Sequence, residues 1–205
     1  EERGFNVYRT RLSRDHQSLL YNAVGLGSIE AFSESEIVRV SWEGEILDSY
    51  SVPFMTHDFV ELANGNLVAI AYDIRTIGEN DVRGDKLVEI DVETGESTPI
   101  WSTWDEFTPG LHGYDDGDDT WTHANALDYD ESEDVFYLGI RDLGSIIKID
   151  RQTGELLWGL SGHANTFEFI GEGTGWEIEH QFEVRDNRIL VFDNGDVERG
   201  SSYIQ

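Results

Sequence analysis

Cysteine is absent from the 205 residues, so no disulfide framework, thiolate zinc site or cysteine nucleophile is available. Lysine is nearly absent too: Lys86 and Lys148 stand beside 12 arginines. No apolar run approaches the ~18 residues that a membrane-spanning helix needs. No charged-then-apolar leader precedes the first residues, and there is no initiator Met, so the sequence reads as a mature or trimmed piece. Helical periodicity is almost missing. There is no serine nucleophile elbow, no phosphate-binding loop and no Asn-x-Ser/Thr acceptor.

Negative charge is what the sequence has in excess: 42 acidic residues against 14 basic, a formal net charge of −28. Phosphate backbones and anionic membranes attract Lys and Arg, so this balance argues against a nucleic-acid or anionic-membrane partner. High charge with low hydrophobicity can mean disorder. Here the 12% aromatic content and regular β-rich segments predict a packed core instead. An acidic, Lys-poor globular chain has the composition of a salt-adapted, halophilic protein, whose self-repulsion is screened within ~3 Å at ~1 M salt. Acidic clusters are therefore weak indicators of metal sites in this chain.

Short runs of Val, Ile, Leu, Tyr and Phe alternate with Gly, Asp and Asn turns, which predicts many short strands. One element recurs. Ile37–Ser41 leads to Glu43-Gly44-Glu45, Leu87–Asp91 to Thr94-Gly95-Glu96, and Ile146–Asp150 to Thr153-Gly154-Glu155. Each is a strand, a Gly turn suited to a hairpin and a second strand start. A further strand pair precedes each hairpin or stands alone, opening at His57, His123 and His180. Together they form a four-stranded unit repeating every ~50–65 residues, the period of a β-propeller blade. The expected fold is all-β, a single partial propeller domain over 1–205. It comprises a partial blade at 5–52, blades at 53–105 and 120–162, and a partial blade at 176–205. Three and a half blades cannot close a ring and would leave sheet edges bare. The expectation is that the remaining blades come from a longer polypeptide or from another chain.

In a propeller the first strand of each blade lines the central channel, so the three repeated histidines are placed to converge on one mouth. Arg75 follows His57 by eighteen residues, Arg141 follows His123 by eighteen, and Arg199 follows His180 by nineteen. Each Arg is expected at the end of the second strand, which an antiparallel hairpin returns beside the head of the first. Repeated units also repeat residues that only satisfy local partners, but three units sharing the pattern favour a site. Imidazole serves as nucleophile, acid, base or ligand, and Arg offers a planar fork to a tetrahedral oxyanion. Asn125, two positions after His123 on an alternating strand, is expected on the same side. Trp104, Trp121 and Trp176 sit in or beside loops entering the same mouth. Three histidines could instead ligate zinc, although the neighbouring arginines would repel a cation. Tyr114–Asp119 lacks the spacing of a calcium-binding loop. His16, His112 and His163 fall outside the repeat.

Thr122-His123-Ala124-Asn125, Gly139-Ile140-Arg141, Ile147–Asp150 and Gly154–Trp158 resemble the arylsulfate sulfotransferase family, as do Glu179–Phe182 and Phe192–Gly195. The resemblance is strong from 120 to 200 and looser from 37 to 105. It implies a six-bladed propeller that passes a sulfuryl group from a phenolic sulfate ester to a phenol acceptor. That chemistry runs through a transient sulfohistidine, without nucleotide donor, cofactor or metal. By motif, His180 is then the nucleophile, and His123, Asn125 and Arg141 hold the sulfuryl oxygens. His57 is a further pocket histidine placed to protonate the leaving phenol, and Arg75, Trp121 and Trp176 would bind substrate. The resemblance also implies an extracellular or cell-surface protein, with any membrane anchor outside this segment. The competing reading is a non-catalytic propeller that serves as a binding or assembly module. The catalytic reading requires imidazoles 123 and 180 and guanidinium 141 to meet around one entrance.

Overall fold

The computed structural model describes residues 4–26, 28–109, 120–170, 175–176, 178–185, 188–195 and 203–204. Among them four antiparallel sheets follow one another along the chain, each an up-and-down meander of the kind that forms a propeller blade. The first contains β1 (Phe5–Asn6), β2 (Thr10–Leu12), β3 (Leu19–Gly25), β4 (Glu36–Val40) and β5 (Ile46–Ser51). The second contains β6 (Met55–Glu61), β7 (Leu67–Ile77), β8 (Asn80–Ile90) and β9 (Ser97–Ser102). The third contains β10 (Ala124–Asp130), β11 (Val135–Ile140), β12 (Ser145–Asp150) and β13 (Leu156–Leu160). The fourth has three strands, β14 (Glu179–Arg185), β15 (Arg188–Asp193) and β16 (Tyr203–Ile204). The helices α1 (Ile29–Phe32) and α2 (Thr103–Glu106) are single turns, and no described helix is long and apolar enough to cross a membrane.

The segment 5–52, expected to be a partial blade, has its first position filled by an interrupted strand. Both β1 and β2 pair with β3. Between them the side chain of Asn22 takes over from the ladder. Its Oδ1 accepts the N–H groups of Tyr8 and Arg9 at 3.0 and 2.8 Å. A polar side chain thus satisfies backbone donors that the broken strand would leave orphaned.

The repeated Gly turns have a common mechanism. Asp91 Oδ1 accepts the N–H groups of Glu93 and Thr94, and Asp150 Oδ1 accepts those of Gln152 and Thr153. Gly95 and Gly154 then turn the chain at φ 75° and 72°, a conformation that costs other residues about 1–2 kcal/mol. In the first sheet Ser41 Oγ takes the place of the Asp carboxylate, accepting from Glu43 and Glu45.

Chain contacts define two compact units, Glu1–Tyr72 with Lys86–Trp101 and Asp73–Asp85 with Ser102–Gln205. β7 and β8 run through both, with residues 67–72 and 86–90 in the first unit. The core of the first unit joins its two sheets through Leu20, Ile37, Met55, Phe59 and Leu67, all fully buried. The core of the second joins β10–β12 to β14 and β15 through Ala126, Tyr137, Ile146, Trp176, Phe182 and Val191. Each large apolar side chain so buried contributes about 1.5–3 kcal/mol. Every residue of β11 is buried, which is why Val135–Ile140 reads as one apolar run rather than an alternating one.

Gly159 and Gly95 separate two kinds of cost. A Cβ on Gly159 would lie 2.0 Å from the Ala164 carbonyl oxygen, whereas one on Gly95 meets nothing within 4 Å. Gly159→Ala is expected to cost about 2–3 kcal/mol by overpacking and Gly95→Ala about 1 kcal/mol by backbone strain. Thermal denaturation at high salt checks the order, at about 2–4 °C per kcal/mol.

Candidate active site

The heads of the first strands share one distortion. Pairing of β6 with β7 jumps from Met55–Ala71 to Phe59–Ala69, and that of β10 with β11 from Ala124–Ile140 to Ala126–Gly139. Pairing of β14 with β15 jumps from Glu179–Asp193 to Phe182–Val191. Bulges therefore hold Thr56-His57-Asp58, Asn125 and His180-Gln181. An extra residue bends a strand end and re-aims its side chains, which is why bulges gather beside functional sites. The three histidines are not equivalent in this register. His57 and His180 lie inside their bulges, while His123 precedes the first paired residue of its strand. The bulge at Asn125 also breaks the alternation on which its shared side with His123 was inferred.

His123 stands in the left-handed region, at φ 51°, where non-glycine residues are uncommon. Its position is gripped from both flanks by one carboxylate oxygen of Asp85 in β8. Asp85 Oδ2 accepts the Thr122 hydroxyl at 2.6 Å and the Ala124 N–H at 2.7 Å. The start of the second-strand turn closes on the same place: Arg141 N–H donates to the His123 carbonyl and Asp142 N–H to that of Thr122. The Arg141 guanidinium then reaches the imidazole, Nη1 to Nδ1 at 3.0 Å. A guanidinium can only donate, so Nδ1 accepts and the proton of a neutral His123 resides on Nε2. The Arg141 side chain is 15% exposed, with Asp142 Oδ1 3.7 Å from its Nε. A neutral N–H donor and a largely buried guanidinium together form a pair suited to an oxyanion.

Asn125 is buried, and its Nδ2 donates to the Glu179 carbonyl of β14 at 3.0 Å. That bond laces the His123 strand to the residue immediately before His180. His180 itself is exposed, and its imidazole makes no hydrogen bond or ion pair with a described residue. The structure thus brings His123 and Arg141 into contact and ties the backbone beside His180 to the same strand head.

The other expected residues make contacts of their own. Arg75 lies near the end of β7 but four residues beyond Ala71, the partner of Met55 at the head of β6, and it is paired with Asp73 at 3.0 Å and stacked over Trp104 at 5.2 Å. The equal spacing of eighteen residues therefore conceals unequal registers, because β7 has 11 residues and β11 has six. His57 belongs to the first compact unit, its ring 5.1 Å from that of Tyr8 and its carbonyl accepting from Asn22. Beside it the fully buried Asp58 carboxylate takes hydrogen bonds from both Arg9 and Arg11. Trp121 is 8% exposed and packs edge-on against Trp104, and Trp176 is 9% exposed within the apolar core. Neither indole presents an open face. Arg199, His112 and the Tyr114–Asp119 loop lie outside the described residues, and among those described no three His, Asp or Glu are arranged to hold a metal ion.

Two acids were missed in the sequence, Asp85 and Glu179, because nothing local distinguishes them among 42. Glu179 is fully buried, with its carboxylate laid over Gly139; a Cβ there would be 2.9 Å from both oxygens. Neither oxygen accepts a well-formed hydrogen bond from a described residue. Burial pushes the carboxyl up to about 8, against the opposing pull of the Gln181 N–H and the Arg141 charge. Asp85 is pushed up to about 6 by burial, and its bonds to Ala124 and Thr122 resist the rise.

Fold and strand heads together define a propeller-type protein in which a His and an Arg meet at one strand head. The chain belongs to the arylsulfotransferase (ASST) family, whose model matches residues 9–202. No curated protein is a recognisable relative. Among solved structures, the chain is similar to a protein of unknown function from Bacteroides caccae, at 12% identity and TM-score 0.63, over 96% of this chain and 60% of that one. It is also similar to hydrazine synthase of Kuenenia stuttgartiensis, at 9% identity and TM-score 0.59, over 96% and 57%. A third likeness is to the Cps50 (Swd1) β-propeller domain of Myceliophteria thermophila, at 12% identity and TM-score 0.53, over 98% and 54%. At such identities the likeness is one of fold, the β-propeller. The chain spans about three-fifths or less of the length of these structures.

The Glu179 carboxyl gives a signed prediction. Its proton is held to about pH 8 in the folded chain but lost near 4.5 in the unfolded one. Its contribution to stability therefore falls as pH rises from about 4.5 to 8. Glu179→Gln is expected to remove that fall, on the order of 2–5 kcal/mol at pH 9. Denaturant titrations of both proteins at pH 5 and pH 9 measure it, and parallel pH dependences would contradict it.

Proposed function

We propose that this chain carries the group-transfer site of an arylsulfate sulfotransferase. It would move a sulfuryl group from a phenolic sulfate ester to a phenol acceptor through a sulfohistidine at His180. The observation that carries the reading is the His123–Arg141 contact of 3.0 Å, on a strand head that Asn125 ties to the residue preceding His180. In a protein of net charge −28, this guanidinium lies 3.7 Å from one acid, Asp142, and still presents its fork to the imidazole. Family membership adds the reaction class.

In the first half-reaction the unprotonated nitrogen of His180 attacks the ester sulfur. An N–S bond forms as the S–O bond to the aryl oxygen breaks, and the electron pair leaves with the phenolate, which takes a proton from solvent as the sulfohistidine ring gives up its remaining N–H proton to solvent. In the second half-reaction the acceptor oxygen attacks the same sulfur, the N–S bond breaks, and the acceptor releases its phenolic proton. Charge spreads over the peripheral sulfuryl oxygens throughout, as in phosphoryl transfer. Arg141 and the Nε2–H of His123 would hold those oxygens. Because both donors are fixed before substrate arrives, they need little reorganisation in the transition state.

The test is turnover of 4-nitrophenyl sulfate by the full-length protein, with and without a phenol, in molar salt. Acceptor-dependent nitrophenol release with ping-pong kinetics is expected. His180→Ala should lose at least about 10³-fold of it, as when a covalent nucleophile is removed. Arg141→Lys should lower kcat by about 10²-fold, since an ammonium cannot present the planar fork. Acceptor-dependent turnover that survives His180→Ala would defeat the proposal, and no turnover at all would favour a binding module.

A further inference from the structure

Asp85 lies far from the strand heads in sequence, yet it touches both neighbours of His123. Its Oδ2 accepts the Thr122 hydroxyl at 2.6 Å and the Ala124 N–H at 2.7 Å. These are short, charge-assisted bonds from the two residues that bracket a left-handed imidazole carrier. The acid is itself held rigidly. Its N–H donates to Thr103 Oγ1 at 3.0 Å, and the Thr103 hydroxyl donates to its carbonyl at 2.9 Å. The preceding Gly84 admits this close packing, because a Cβ there would be 2.6 Å from Trp104 Nε1 and 2.7 Å from Thr103 Oγ1. The side chain is 2% exposed, and its Oδ1 has no hydrogen-bond partner among the described residues.

We propose that Asp85 is the positioning residue of the site, clamping the backbone on both sides of His123 so that its imidazole meets Arg141. The proposal rests on the transfer reading above. Holding His123 at φ 51° costs about 1–2 kcal/mol, and the two bonds to Asp85 offset that strain. Releasing one flank lets the residue relax toward ordinary strand geometry and carries Nδ1 away from the guanidinium. Displacements of about 1 Å in such a pair lower rates by about 10²-fold.

The experiment compares Asp85→Ala, Asp85→Asn and Thr122→Val in the full-length protein. Two readouts are used: kcat and KM with 4-nitrophenyl sulfate and phenol, and the imidazole resonances of His123 by NMR. Asp85→Ala is expected to lower kcat by about 10²-fold with KM changed less than about threefold, and to move the His123 resonances off the Arg141-bonded position. Asp85→Asn is expected to retain kcat within about threefold, because its amide oxygen can accept both bonds and its NH₂ takes the place of the idle Oδ1. Thr122→Val keeps side-chain shape and removes one bond, so it should lower kcat by about 10-fold and serves if Asp85→Ala does not fold. The inference is overturned if folded Asp85→Ala, or Thr122→Val in its place, keeps wild-type kcat and His123 resonances. It is also overturned if Asp85→Asn falls as far as Asp85→Ala. The resonances report on the clamp even without turnover, whereas the His180→Ala comparison reports on the transfer reading alone. The two failures are therefore distinguishable.

Discussion

Two hydrogen bonds to one buried carboxylate oxygen organise what surrounds His123. Asp85 fixes Thr122 and Ala124, they fix the left-handed backbone between them, and that backbone sets the imidazole against Arg141. From there Asn125 extends the order to β14 by holding the Glu179 carbonyl. The links of this chain are largely buried polar groups that packing or hydrogen bonds hold in place. In a low dielectric each bond is stronger and each missing partner costlier.

The scarce cations are placed with the same economy. Lys148 is 8% exposed, bonds Glu133 at 2.6 Å and lies over the Tyr137 ring. Arg39 pairs with Glu61 at 2.8 Å, and Arg9 and Arg11 share the buried Asp58. Most of the acids face solvent, where salt screens their repulsion. Several of the few positive charges are instead held at inner positions, where weak screening lets each act on specific neighbours.

The repeat, the Gly turns and the strand runs were legible because each is a short-range pattern. Gly95 and Gly154 announce a positive φ, and Asp91 and Asp150 announce the side chain that closes the turn. The interrupted first strand was hidden because Asn22, the residue that replaces its missing ladder bonds, lies 13 positions from Arg9. The spacing of eighteen between His and Arg was legible too, but it misled. Just after β11 the Arg begins the turn beside His123, whereas in the longer β7 the Arg is still within the strand, held by Asp73 and Trp104.

By itself the sequence determined the blade period, the hairpins, the family motifs and the chemical types at the strand heads. All of these follow from contacts among near neighbours or from residue identity. Only the tertiary structure decided the register. A single inserted residue per strand, at Asn125 or across His180-Gln181, changes which side chains share a side. It also chose two acids out of 42. Asp85 and Glu179 gain their meaning from partners on other strands, and from a burial that their own sequence surroundings do not encode.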